Sequence, residues 1–147
     1  ETVHAANRGE NFTVIFVNNS LYGMTGGQMA PTTLLGQKTT TSPYGRSHEG
    51  DGYPIRMAEM LATLEGPSFV ARVACDTPAH IAKARKAIKK AFKMQIDNMG
   101  FSFVEILSAC PTNWRLDALT AQKKVQDEMI PYFPLGVFKE RDTADYL

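Results

Sequence analysis

The chain has 147 residues, a formal net charge of +1 from 16 Lys and Arg against 15 Asp and Glu, and 44% apolar residues. That length fits one domain, the charge balance argues against a general nucleic-acid binder, which needs a basic surplus to release counterions, and no stretch approaches the roughly 20 apolar residues that span a bilayer. Two cysteines, Cys75 and Cys110, in a chain that can bury a core without crosslinks, and the lack of a charged leader or apolar signal core at Glu1, point to a reduced compartment, the cytoplasm by default.

Residues 2–9 read as the last turns of a helix, with Arg8 at its negative end and Gly9 placed to close it in the left-handed conformation. Residues 12–17, Phe-Thr-Val-Ile-Phe-Val, are β-branched and aromatic, which predicts a central parallel strand covered on both faces and ending at Asn18-Asn19. From Ser20 to Tyr53 Gly, Thr, Pro and Ser dominate and no period survives. Long irregular loops inside compact domains are usually functional, so chemistry is expected at 18–53.

Helical composition returns at 55–64 through Met57, Met60, Leu61 and Leu64, and 69–73 reads as a second strand. Thr77-Pro78 is the clearest helix start in the chain, because Thr caps free amides and Pro occupies the first helical position at no hydrogen-bond cost. Ile81, Ala84, Ile88, Ala91 and Ile96 then repeat at the helical period towards Met99, and Gly100 ends the element. A third strand over 101–107 and a helix over 117–129 follow, with Asp117 serving the second helix's N-terminus. Residues 130–147, broken by Pro131 and Pro134, are expected to pack as an extended arm. Strand, helix, strand, helix, strand in this order implies right-handed crossovers and an α/β fold with a parallel sheet, in one domain over 1–147.

Ligands in such sheets sit beyond the carboxyl ends of the strands, where the first strand delivers Asn18-Asn19-Ser20-Leu21-Tyr22-Gly23-Met24-Thr25-Gly26-Gly27-Gln28. An Asn side-chain oxygen and a main-chain carbonyl two residues on are hard neutral ligands suited to completing a Mg²⁺ octahedron. The glycines would let the backbone approach a diphosphate, although a Gly-Thr-rich loop after a strand is also an ordinary turn. Read alone, an isolated cysteine such as Cys110 at a strand end is a small buried hydrophobe. His4, His48 and His80 have no metal-ligand spacing and read as surface or capping residues. Glu105 lies inside the third strand, where a carboxylate is costly unless paired or at an edge. The basic residues Lys83, Lys86, Lys90 and Lys93, with Arg85 and Lys89, form either a solvated helix face or a docking surface for an acidic partner.

The run from Asn18 to Thr33, followed by Lys38-Thr39-Thr40-Thr41-Ser42-Pro43-Tyr44-Gly45-Arg46, resembles the cofactor loop of 2-oxoacid:ferredoxin oxidoreductase β subunits of the 2-oxoglutarate or 2-oxoisovalerate type, and Phe103 to Trp114 resembles that family's Phe-Val-Glu-X-Leu-Ser-X-Cys-Pro-Thr-X-Trp segment. The resemblance implies the thiamine-diphosphate-binding fold, incomplete on its N-terminal side, because the family's Gly-Asp-Gly half of the cofactor motif would lie upstream of Glu1. It implies Mg²⁺ held by the Asn19 side chain and the Leu21 carbonyl, Gly23 and Thr25 against the diphosphate or the catalytic part of thiamine, Thr32, Thr33 and Thr39 to Thr41 lining a closing loop, and Cys110 as one thiolate of a [4Fe-4S] cluster.

A cubane usually takes four thiolates, so the remaining ligands would come from outside this chain. The implied activity is oxidative decarboxylation of a 2-oxoacid to an acyl-CoA, with coenzyme A as acceptor, electrons passed to ferredoxin, and an α subunit, with γ and δ subunits as further candidates, as partners. No residue here is assigned to catalysis; by the same resemblance the cofactor's aminopyrimidine, assisted by a partner chain's carboxylate, serves as base. The alternative is a non-catalytic α/β module docking an acidic partner through the basic helix at 78–99.

Overall fold

The computed structural model describes residues 1–142. Helix α1 (Thr2–Arg8) ends at Gly9 with φ 66° and leads into strand β1 (Thr13–Asn18). The loop that follows is not structureless: β2 (Leu21–Tyr22) and β3 (Gln28–Met29) form a two-residue antiparallel ladder, and α2 (His48–Asp51) is one turn capped by Ser47. Helix α3 (Met57–Ala62), strand β4 (Pro67–Ala74), the 19-residue helix α4 (Pro78–Ile96) and strand β5 (Phe101–Leu107) come next. The Thr77 hydroxyl accepts the His80 amide, the cap expected from sequence. After α5 (Pro111–Trp114), helix α6 (Ala118–Lys124) is capped by Asp117, which accepts the Leu119 and Thr120 amides, and runs through a π-helical turn (Val125–Met129) into α7 (Ile130–Tyr132).

The main sheet has the order β1, β5, β4 and then β6 (Gly136–Glu140). The first three strands are parallel and β6 is antiparallel to β4. Two expectations are corrected here. Strand β1 is the edge of the described sheet rather than its centre, with Ile15 36% and Val17 56% exposed; the central strand is β5, all seven residues of which are buried. The anticipated arm is helical as far as Tyr132 and then a strand, Pro131 falling directly after the π-helical turn in a helix that runs on from α6. Residues 143–147 of the arm lie outside the described residues.

Strand alternation divides the core by face. Phe101, Phe103 and Val70 pack with Ala6 of α1 and Ala58 and Leu61 of α3. Phe69, Ala71, Val104 and Ile106 face Ala91 and Met94 of α4. A third cluster joins Ala74 and Leu107, at the carboxyl ends of β4 and β5, to Val125, Met129 and Phe133. At the opposite end of the sheet, a Cβ on Gly66 would lie 2.0 Å from the Ala6 carbonyl oxygen, so only glycine lets that chain pass beneath α1. The carboxyl ends of β1 and β5 are left to their loops.

Candidate functional site

Strand β1 ends in two asparagines that do different work. Asn18 is buried; its Nδ2 donates to Glu105 Oε1 at 2.7 Å and its Oδ1 accepts the Ser20 amide at 3.0 Å. Ser20 takes the left-handed conformation with φ 58°, which turns the chain out of the strand. Asn19 is half-buried, and its Oδ1 has only a long contact, 3.4 Å, from the Leu21 amide. Of the two, Asn19 is the one whose oxygen is free enough to meet a ligand.

Gly23 lies where this turn meets the loop after β5. A Cβ there would approach Cys110 Sγ at 3.3 Å and the Asn113 and Asn19 amide nitrogens at 3.4 Å each. Asn113 Nδ2 donates to the Gly23 carbonyl at 2.9 Å and to Cys110 Sγ at 3.4 Å, spending both its hydrogens on the junction. Asn19, Leu21, Gly23 and Cys110, singled out from sequence, therefore belong to one end of the sheet. Thr25 does not join them: it is exposed and its hydroxyl donates to Gln28 Oε1 at 2.6 Å. Asn113 was missed from sequence, its only signal being its place two residues after Pro111 in the Cys-Pro-Thr-X-Trp string.

The threonines build the loop from within. Thr33 is fully buried, donates to the Ser20 carbonyl at 2.6 Å and accepts the Ala30 amide. Thr41 Oγ1 accepts the Met29 amide, and the Thr40 amide donates to the Gly27 carbonyl. Thr39 and Thr40, with Gly26, Gly27, Lys38, Thr112, Asn113 and Arg115, line a cleft of about 620 Å³ beside the junction. Arg46 holds the loop together. Its guanidinium donates to six main-chain carbonyls, those of Ala30, Pro31, Thr33, Asp51, Gly52 and Tyr53.

Beneath the turn, the α3 face of the sheet carries a buried ionic chain. Glu105 Oε2 accepts Arg72 Nε at 2.8 Å, and Arg72 forks onto Glu59 through Nη1 at 3.0 Å and Nη2 at 2.5 Å. Burial works against the Arg72 charge, but the two carboxylates outweigh it and raise its pKa. Burial likewise pushes the Glu59 carboxyl up, and the Arg72 hydrogen bond and charge outweigh that and hold it below the usual range. Glu105 thus faces neither solvent nor a neighbouring subunit. On the α4 face, Lys90 pairs with Glu140 and Lys93 with Asp97, and His80 Nδ1 lies 2.6 Å from Asp76 Oδ1.

The Asn19 side-chain oxygen, with its single long contact, fits a neutral Mg²⁺ ligand in a turn that carries no carboxylate, while the missing side chain at Gly23 makes room for Cys110, Asn113 and Asn19. Cys110 fits one ligand of a cluster. Among the described residues no group of three or more His, Cys, Asp or Glu is placed to hold a metal ion.

A model described as the C-terminal TPP-binding domain of thiamine pyrophosphate enzymes matches residues 1–106. The chain belongs to that family. It is 52% identical over 143 residues to ketoisovalerate oxidoreductase subunit VorA of Methanothermobacter thermautotrophicus, covering 97% of this chain and 30% of that protein. It is 38% identical over 155 residues to 2-oxoglutarate synthase subunit KorB of Archaeoglobus fulgidus, covering 98% and 53%. The chain thus spans 30% of the first of these relatives and 53% of the second. The fold matches that of 2-oxoglutarate:ferredoxin oxidoreductase from Magnetococcus marinus with 2-oxoglutarate, coenzyme A and succinyl-CoA bound, with TM-score 0.68 at 22% identity over 97% of this chain and 51% of that one.

Proposed function

We propose that the chain is the cofactor-binding part of a 2-oxoacid:ferredoxin oxidoreductase β subunit, which converts a 2-oxoacid, coenzyme A and oxidised ferredoxin to acyl-CoA, CO₂ and reduced ferredoxin. The observation that carries the reading is the turn from Asn18 to Gly23, in which one asparagine is spent on the fold and the next presents its oxygen beside a glycine. The relatives named above, all subunits of 2-oxoacid oxidoreductases or synthases, support the substrate class.

The Asn19 side chain and the Leu21 carbonyl would supply two Mg²⁺ oxygens, with Gly23 and Thr25 towards the diphosphate or the catalytic part of thiamine; a carboxylate ligand would come from outside this chain. Thiamine diphosphate, when bound, supplies an electron sink for loss of CO₂. The chain's own part is to bind, orient and exclude water. Arg46 and Thr33 keep the loop packed around the turn, and Asn113 ties Gly23 to Cys110, which would serve as one thiolate of a [4Fe-4S] cluster. An α subunit, with γ and δ subunits as further candidates, would complete a cytoplasmic assembly. No helix among the described residues is long and apolar enough to cross a membrane. Docking through the basic helix is the weaker reading, because Lys90 and Lys93 are already engaged within the chain.

The test is calorimetric titration of the full-length protein with thiamine diphosphate in the presence of Mg²⁺, compared with Asn19→Leu. The reading requires Asn19→Leu to weaken binding at least about tenfold, about 1.4 kcal/mol. Unchanged affinity would refute it.

A further inference from the structure

The polar chain under the turn joins three neighbouring strands. Phe16, Glu105 and Arg72 are in register across β1, β5 and β4, and Asn18 follows Phe16 on the same face. Asn18, Glu105 and Arg72 are each 0 or 1% exposed. Such a cluster is expensive to bury, and hydrophobic residues of similar volume in its place would often be as stable or more so. Its geometry instead has a direction. Arg72 is fixed at one end by Glu59 and by the Pro134 carbonyl, it fixes Glu105, and Glu105 takes the Asn18 amide. Committing Nδ2 to Glu105 decides which way the Asn18 amide points and so aims Oδ1 at the Ser20 amide. That bond helps hold Ser20 at φ 58°, the bend between Asn19 and Leu21.

We infer that Glu105 and Asn18 are positioning residues that set the orientation of the Asn19 and Leu21 oxygens for Mg²⁺, with Arg72 as their anchor. This inference rests on the proposed Mg²⁺-thiamine diphosphate site. It gives the buried charges a task beyond packing: without Glu105 the Asn18 amide is free to flip, and without the Asn18 acceptor the left-handed turn at Ser20, costly for a residue with a side chain, is left to the Thr33 hydroxyl on the Ser20 carbonyl.

The hydrogen-bond logic supplies its own rescue. In Asn18→Asp two carboxylates face one another where a 2.7 Å hydrogen bond stood. In Glu105→Gln the new amide's nitrogen must face another donor, either Arg72 Nε–H or Asn18 Nδ2–H. Combining Asn18→Asp with Glu105→Gln removes both conflicts. The new carboxylate then accepts from the Ser20 amide and from the new side-chain amide, whose oxygen accepts Arg72 Nε–H, so all three bonds and the net charge are kept.

The experiment uses the full-length protein with its native partner subunits, stripped of metal and cofactor, and measures the Kd for Mg²⁺ at saturating thiamine diphosphate well below the melting temperature of each variant. Each single substitution is expected to raise Kd at least about tenfold, and the double substitution to return it to within about threefold of wild type. Singles that melt earlier but keep wild-type Kd would reduce the network to scaffolding and overturn the inference, as would a double variant no better than its parents. Asn19→Leu, run in parallel, separates the two failures: if it leaves Kd unchanged, the metal site itself is misassigned and the inference goes with it; if it raises Kd while the singles do not, only the inference falls.

Discussion

Arg46→Met should dismantle the loop while leaving the sheet's apolar layers intact. The wild-type guanidinium has five N–H hydrogens for six carbonyl contacts, so at least one hydrogen is shared, and the contacts bind residues 30–33 to residues 51–53 across an otherwise irregular segment. A hydrogen bond from a charged donor contributes about 1.5–3 kcal/mol net, but these share one side chain and do not add. Ala30 and Thr33 are buried, so their carbonyls would each lose a charged donor at a cost of about 1–3 kcal/mol. A loss of about 3–5 kcal/mol follows, a large fraction of the ~5–15 kcal/mol available to a domain. Arg46→Lys keeps the charge but has three donors on a single nitrogen that cannot reach both arms, and should recover less than half of that loss. Urea unfolding followed by tryptophan fluorescence gives the stability, since Trp114 lines a cleft together with Gln37 and Lys38 of the loop. Limited proteolysis then reports whether cleavage concentrates within 30–53. A loss below about 1 kcal/mol, with cleavage no faster than in wild type, would refute the view that this one side chain organises the loop.

Glu59 gives a pH prediction. Its folded carboxyl lies below the ordinary value of 4.5, so it adds stability that is fully present above 4.5 and is lost as pH falls through the depressed value; below pH 5 the stability of wild type should fall more steeply with pH than that of Glu59→Gln, and parallel pH dependences would contradict this. At Gly27, with φ +83°, a Cβ would sit 2.9 Å from Asn113 Oδ1. Gly27→Ala should therefore cost about 1–3 kcal/mol from backbone strain and release the Asn113 bond to Gly23, seen as a melting-temperature drop together with a perturbed Asn113 side-chain amide resonance. Burial, reinforced by the Asp76 charge, pushes the Cys75 thiol above its usual pKa, so its alkylation by iodoacetamide at about pH 7.5, followed by mass spectrometry, should be slower than that of a free thiol and accelerate with pH. Alkylation as fast as in an unfolded peptide would show the side chain to be better solvated than its surroundings imply.

Local signals foretold what local chemistry determines. Thr77-Pro78 and Asp117 cap the helices they were expected to cap, and Gly9 adopts the left-handed turn. The place of β1 in the sheet was misread, because an apolar strand and an edge strand awaiting a neighbour look alike in sequence. Strand β6 was hidden by its length of five residues and by the prolines before it. The turn that carries Asn19 and Gly23 was legible because a turn after a strand is a local object. Arg46 was not, since its partners are main-chain carbonyls that carry no side-chain signature. The Arg72 and Glu105 pair left a trace that pattern reading could have used: one positive and one negative residue, each inside an otherwise buried strand, have little choice but to find one another.

The two flanks of the sheet are unequal. Along β4 the antiparallel β6 occupies the hydrogen-bonding edge, whereas the outer edge of β1 lies at the margin of the described sheet, flanked by the half-open side chains of Ile15 and Val17. A further strand can lengthen the sheet beside β1 or along the outer side of β6, but it is the β1 margin that adjoins the turn at Asn19. Running parallel beside β1, such a strand would deliver its own carboxyl-end loop next to Asn19, so that on the proposed reading an acidic side chain carried by that loop would complete the site.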